Sequence, residues 1–164
     1  MKKWQSDVRG AGFILLLWLV GWGLGFGGIM EIVDPRGEIQ DVWPSALAIV
    51  GLVGGFVFAG LLRVAEGPRS FDEVTLARGA AWGGVAGLAL AAVAMTKIAG
   101  PVSSVISHVF LALAGTTGAG EGQPRAFVAI SILAALGAVA GFGTMVFFRL
   151  LARRQASAPA QHRA

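Results

Sequence analysis

The sequence predicts an all-α integral membrane protein: a four-helix bundle of two related helical hairpins, with a short amphipathic helix on its outer side. Three observations predict this fold. The 164 residues are 55% hydrophobic and only 13% charged, whereas a soluble domain carries about 25% charged residues. Four uncharged stretches each approach the roughly 20 residues that a helix needs to cross a bilayer. The chain has 25 glycines, and many of them recur at helical spacing within these stretches.

Composition also excludes several classes of function. The chain has no cysteine, which excludes disulfides, thiol redox chemistry and cysteine-based metal sites. The net charge of +4 does not indicate nucleic acid, because the basic residues flank apolar stretches instead of forming a run with interleaved aromatics. We predict no cofactor, no metal and no nucleic-acid partner.

The four predicted spans cover about residues 11–32, 44–63, 76–98 and 126–149 of a single membrane domain, 1–154, and a disordered tail follows at 155–164. The first apolar run is longer than that of a signal peptide and lacks a small-residue cleavage site, so we expect a retained span. Trp43 has the position of an interfacial aromatic anchor. Ser70 and Glu73 have the spacing of a capping box, which predicts that the third helix begins near Phe71.

A shorter segment at about 101–114 separates the third and fourth spans. Its apolar residues share one helical face: Val102, Val105, Ile106, Val109, Phe110 and Leu113. Twelve residues of helix rise about 18 Å, which is less than the roughly 30 Å of a bilayer core. We therefore expect an amphipathic helix that lies on the outer surface or caps the bundle. The pattern leaves open whether the segment re-enters the bilayer.

The distribution of basic residues predicts the orientation. Ten of the thirteen Lys and Arg residues lie on the side of the two termini, and only Arg36, Lys97 and Arg125 lie on the other. Basic residues concentrate on the cytoplasmic side of membrane proteins. We therefore expect a protein of a bacterial-type cytoplasmic membrane with both termini in the cytoplasm.

Two pairs of similar segments indicate an internal repeat. Trp22-Gly23-x-x-x-Gly27 returns at Trp82-Gly83-x-x-x-Gly87. A second pattern that starts at Gly51 and ends at Arg63 returns between Gly137 and Arg149. Two hairpins of the same orientation, the second with an outer insertion, explain both pairs. Chance matches in a glycine-rich chain remain the alternative.

Small residues let helices approach closely in lipid, where hydrophobic burial gives little driving force. We assign helix packing to Trp22, Gly23, Gly27, Gly51, Gly55, Gly79, Trp82, Gly83, Gly87, Gly137 and Gly141. The alternative is that these glycines line a substrate path.

Few polar residues remain as functional candidates. Glu31 ends the first span, where it lies near a pathway or simply reaches water or Arg36. His108 lies on the amphipathic segment, without a second ligand for a metal. The inner loop carries Arg63, Glu66, Asp72 and Glu73. These charges fix the hairpins, dock a cytoplasmic partner or are merely solvated.

No catalytic arrangement is present in the sequence, and we expect no enzyme activity. The leading hypothesis is a non-enzymatic accessory protein or self-associating scaffold that acts through glycine-mediated helix packing. Its expected partners are the lipid bilayer and either further copies of the chain or a larger membrane complex. The alternative is a small dimeric transporter or channel with Glu31 near the pathway.

Overall fold

The computed structural model describes residues 2–34, 36, 43–67, 73–96, 101–116 and 123–157. Helix α1 (Lys2–Val20) continues through a π-helical turn (Gly21–Phe26) into α2 (Gly27–Val33). Four further helices follow: α3 (Trp43–Glu66), α4 (Leu76–Met95), α5 (Pro101–Thr116) and α6 (Gln123–Ser157). The described chain is all-helical and contains no strand.

Four helices are long and apolar enough to cross a membrane: Gly10–Val33, Trp43–Glu66, Leu76–Met95 and Ala126–Arg154. Each overlaps one of the four predicted spans. Helix α6 continues to Ser157, three residues into the segment predicted as a tail, and the rest of that tail lies outside the described residues. With 16 residues, α5 rises about 24 Å and is the shortest of the separate helices.

The start of α4 corrects one prediction. The helix begins at Leu76 rather than near Phe71, and its N-cap is Thr75, whose hydroxyl accepts the Arg78 amide at 3.3 Å. A threonine cap satisfies one of the orphan amides of the first turn. Glu73 precedes this cap, and Ser70 lies outside the described residues. Ser70 and Glu73 have the spacing of a capping box, but the helix begins at the cap formed by Thr75, five residues after Ser70.

The end of α3 depends on a glycine. Gly67 follows the last helical residue, Glu66, with a φ of +65°. This left-handed conformation at the C-terminus of a helix costs glycine nothing, because glycine has no Cβ. The helix therefore ends cleanly at Glu66, which positions that carboxylate at the end of α3.

Helices α4 and α6 form the most extensive contact between elements. A Cβ added at Gly79 would collide with Met145, at Gly83 with the Gly137 carbonyl, and at Gly87 with the Leu133 carbonyl. On the other helix, a Cβ at Gly137 or Gly141 would collide with a carbonyl of α4. The partner number on α6 falls as the number on α4 rises. The two helices are therefore antiparallel, with their backbones in direct contact.

Helix α3 packs against α1, the π-helical turn and α2. A Cβ at Gly51 would lie 2.5 Å from the Trp22 Cβ, one at Gly23 would lie 2.9 Å from the Ala48 Cβ, and one at Gly27 would lie 2.5 Å from the Pro44 Cα. These contacts also run antiparallel. At this interface the glycines contact tryptophan, alanine and proline residues. At the interface between α4 and α6, glycines contact other glycines.

The π-helical turn changes which face of the first long helix meets α3. Ile14, Trp18 and Trp22 are buried at a spacing of four, and Gly23 and Gly27 are each buried five residues beyond Trp18 or Trp22. The change of spacing falls within the turn, which contains Trp22 and Gly23. The amide of Gly27 donates to the Trp22 carbonyl, five residues earlier. Such a turn inserts one residue and rotates the following helix. The rotation keeps both halves of the helix in contact with α3.

Helix α5 packs its apolar face against α3, α4 and α6. Ile106, Val109 and Phe110 are buried, while His108 and Leu111 are exposed. The Ser107 hydroxyl donates to the Ala94 carbonyl of α4 at 3.0 Å. The buried face of α5 therefore includes apolar positions that the sequence predicted, as far as the side chains are described. The internal repeat stays a prediction, because no described contact tests it.

The contact between α4 and α6 generates a prediction about two adjacent glycines. Gly83→Ala should destabilise the protein by about 1–3 kcal/mol, because the added methyl forces the two backbones apart. Gly84→Ala is the matched control, since its Cβ would lie 3.6 Å from the Ala134 carbonyl. It should be neutral or slightly stabilising through helix propensity. Thermal unfolding in mild detergent measures both, and equal stability of the two variants would contradict the prediction.

Candidate functional site

Among the sequence-predicted functional residues, Glu66 is buried and makes polar contacts with a neighbouring helix, α4. Its Oε1 accepts the Trp82 indole N–H at 3.1 Å, and its Oε2 lies 3.0 Å from Arg78 Nη1. The Glu66 side chain is 7% exposed, whereas that of Arg78 is 56% exposed. We call Glu66, Arg78 and Trp82 the Glu66 cluster. It joins the end of α3 to the beginning of α4.

Arg149 of α6 reaches the same end of the molecule. Its Nη2 donates to the Val74 carbonyl at 3.3 Å, just before the Thr75 cap. Val74 itself is buried. Three elements therefore meet here: α3 through Glu66, the entry to α4 through Val74, and α6 through Arg149. The arrangement fixes the ends of three helices relative to one another.

Sequence reasoning did not predict the contact between Glu66 and Trp82. Arg78 and Trp82 are four residues apart, so they lie on the same face of α4. Trp82 was assigned to helix packing through its ring, and the structure adds a hydrogen bond from its indole. The available signal in the sequence was this pair of hydrogen-bond donors, Arg78 and Trp82, close to the glutamate that ends α3.

The remaining inner-loop candidates differ from Glu66 in burial where the structure describes them. Arg63 and Glu73 are exposed. Asp72 lies outside the described residues. Among the described members of the predicted group, Glu66 is the buried one.

Glu31 and His108 are both exposed. Glu31 lies near the end of α2, away from the Glu66 cluster, which lies where α3 ends and α4 begins. His108 Nδ1 lies 2.7 Å from the carbonyl of Ser104, one turn earlier on α5. Among the described residues, no three His, Asp or Glu side chains converge as a metal site. The histidine contact is local to its own helix.

Two further polar contacts bury tryptophan N–H groups. The Trp43 indole donates to Asp34 Oδ2 at 3.0 Å, and both residues are buried. Trp43 was predicted as an interfacial anchor; in the structure it is covered completely and joins the entry of α3 to the end of α2. The Trp18 indole donates at 3.2 Å to the Thr144 hydroxyl of α6.

Trp22 is the exception among these buried indoles. Its Nε1 is buried and has no acceptor within the described part of the chain. An unpaired buried donor costs about 1–3 kcal/mol. The ring is held by neighbours on both sides: it stacks on Trp18 at a centroid distance of 6.2 Å and meets the edge of Phe26 at 5.6 Å. Packing, rather than hydrogen bonding, therefore holds Trp22.

A cleft of about 160 Å³ lies between the first long helix and α6. It is lined by Leu17, Trp18, Gly21, Phe26, Ala140, Gly143 and Thr144. The Trp18 and Thr144 contact lies at its wall, and none of Glu31, Glu66 and His108 lines it. The cleft is therefore an apolar site with a single hydroxyl, separate from every residue predicted to carry function.

The Glu66 cluster generates a prediction about stability. Glu66→Ala should lower the free energy of unfolding by about 1–3 kcal/mol, because it leaves the Trp82 N–H without its acceptor. The Arg78 contact contributes less, since that side chain is mostly solvated. Glu66→Gln retains an acceptor oxygen and should keep most of the stability.

Glu73→Ala is the matched control, because it removes an exposed glutamate near the same helix end. Thermal unfolding in mild detergent should place this variant within about 0.5 kcal/mol of the wild type. If Glu66→Ala unfolded at the same temperature as Glu73→Ala, the cluster would contribute nothing to stability.

No protein-family model, curated protein or solved structure matches this chain. The function therefore has to be argued from the chain's own residues and their contacts.

Proposed function

We propose that the chain is an integral membrane protein whose four long helices cross the bilayer as an antiparallel bundle and that it acts as a non-enzymatic accessory or scaffold subunit. One observation carries the proposal: the buried polar or charged side chains of the described residues, namely Asp34, Glu66 and Thr144, are used in structural contacts. Asp34 binds Trp43, Glu66 binds Trp82 and Arg78, and Thr144 binds Trp18. A site for chemistry or ion passage needs polar groups that are left for a substrate.

The antiparallel order supports the bundle. Contacts run from the first long helix to α3, from α3 to α4, and from α4 to α6. The contacts of Trp18 with Thr144 and of Phe13 with Phe147 return from α6 to α1 and close the ring. In lipid, helices of this kind satisfy their own backbone hydrogen bonds, as a span requires. The exposed surface carries large apolar side chains, among them Leu24, Ile32 and Phe127.

The basic residues support the orientation. Arg149, Arg153 and Arg154 lie at the end of α6, and Arg63 and Arg78 lie at the adjoining ends of α3 and α4. The bilayer places such a concentration of arginines on its cytoplasmic side. Both termini and the Glu66 cluster therefore belong to the cytoplasmic side of a bacterial-type cytoplasmic membrane.

The glycines divide into two groups with different roles. Those assigned to packing from the sequence meet neighbouring helices of the same chain, so their surfaces are occupied. Gly25 and Gly28 have nothing within 4 Å of an added Cβ. At a spacing of three they lie on one side of the first long helix, where another helix can approach. We therefore expect a helix of another protein or another copy to pack along this side. The glycines that the sequence assigned to helix packing are already occupied within the chain.

The orientation can be tested directly, because the chain has no native cysteine. Single variants Ser6→Cys and Ala164→Cys place a thiol near each terminus, and Glu38→Cys places one between α2 and α3. A membrane-impermeant maleimide added to intact cells should label Glu38→Cys alone. The other two should react only after the membrane is opened. Labelling of either terminus in intact cells would overturn the orientation.

Association can be tested by crosslinking in native membranes, followed by purification in mild detergent. The wild type should be recovered in a complex, with either further copies of itself or another membrane protein. Gly25→Leu should reduce the crosslinked fraction several-fold, because leucine blocks close helix approach. Gly60→Leu is the matched control, since Gly60 is also open but lies on α3.

A lone monomer without a crosslinked partner would overturn the accessory or scaffold function. The transport hypothesis makes a different prediction, namely a solute or ion flux in proteoliposomes that Glu31→Gln reduces. Measuring flux in the same preparation separates the two functions.

A further inference from the structure

The seam between the first long helix and α6 contains an unfilled cleft of about 160 Å³. On one side of it the seam is closed: Phe13 stacks on Phe147 at 5.3 Å, and Trp18 bonds to Thr144. Beyond these contacts the cleft reaches Phe26 and Ala140. The other three seams between neighbouring long helices are packed far more extensively. The opening is therefore a local feature of this seam.

Two glycines face each other across the seam from opposite helices. Gly21 lies on the first long helix and Gly143 on α6, and an added Cβ at either would meet nothing within 4 Å. At Gly83 the missing side chain brings two helices into contact; at Gly21 and Gly143 it leaves space instead. The space exists because both walls lack side chains at this point.

The cleft selects an apolar occupant. Its lining hydroxyl, on Thr144, already accepts the Trp18 N–H and donates to the Ala140 carbonyl at 2.7 Å. The other lining side chains are apolar or absent. An apolar cavity of about 150 Å³ stays dry and binds a molecule of the size of benzene. A helix, roughly 10 Å across, is too wide for it. The cleft fits one flexible hydrocarbon chain.

We propose that the cleft binds a single acyl chain of a membrane lipid, whose middle methylenes lie against Gly21 and Gly143. This inference rests on the proposed membrane location. Gly21 lies at the middle of the apolar helix Gly10–Val33, and Gly143 lies well inside Ala126–Arg154. At that depth of a bilayer the surrounding fluid is acyl chain rather than headgroup or water. The seam is then completed by lipid, and the contact depends on the length and saturation of the chain.

The test uses tryptophan fluorescence in proteoliposomes made from a phospholipid whose acyl chains are brominated near their middle. Bromine quenches an indole on close contact, and Trp18 lines the cleft. In the wild type, bromine in the cleft should quench the fluorescence of Trp18. Gly143→Leu should remove this quenching, because the leucine side chain fills the space. The quenched share of the emission should fall by about one fifth, the share of one of the five tryptophans.

Gly60→Leu is the control, since it adds the same side chain at an open glycine outside the cleft. Its quenching should equal that of the wild type. Equal quenching in Gly143→Leu and Gly60→Leu would show that no acyl chain enters the cleft. The same measurement is repeated at increasing protein-to-lipid ratios. If the quenching that Gly143→Leu removes became weaker as this ratio rose, the cleft would be occupied by a second copy of the chain, and the proposal would be overturned.

The same samples separate this inference from the proposed function. Flotation of the vesicles reports membrane insertion for every variant. Protein that fails to float, with no bromine quenching in any variant, would overturn the membrane location itself. Protein that floats and is quenched equally in all variants would overturn the acyl site alone.

Discussion

The direct backbone contact between α4 and α6 is the constraint on which the rest of the structure depends. Gly79, Gly83 and Gly87 meet Gly141, Gly137 and Leu133, and no side chain larger than hydrogen fits at the centre of this contact. Helix α4 in turn holds two other elements: α3 through the Glu66 cluster, and α5 through the Ser107 hydroxyl. Displacing α4 from α6 would therefore also disturb the positions of α3 and α5.

The first long helix is held differently. It contacts α3 through tryptophan rings laid over Gly51, Gly54 and Gly55, and it needs a π-helical turn to keep that face aligned. Glycines at Gly21, Gly23 and Gly25 lower the steric barrier to such a turn, because they have no side chains to crowd it. Its contact with α6 is the weakest in the ring. The cleft lies at this junction between the tightly packed helices and the more loosely held one.

Three of the described tryptophans donate their indole N–H to a side chain from another segment: Trp18 to Thr144, Trp43 to Asp34 and Trp82 to Glu66. An unpaired donor is costly in an apolar interior, so these pairs fix how the segments align. Trp22 is the exception, because its buried indole N–H has no acceptor within the described residues and the ring is held by packing.

The sequence by itself determined four long apolar helices, an additional short helix with one apolar face, and the absence of thiol chemistry. It also singled out Glu66, but not its contact with Trp82, and it placed the start of α4 too early. Only the tertiary structure decided which faces meet, where the π-helical turn falls and that Gly21 and Gly143 border a cleft. The physical reason is that the long helices carry apolar side chains on their exposed sides as well as their buried ones. Hydrophobic periodicity then carries little information about the buried face, and close packing of small residues chooses it instead.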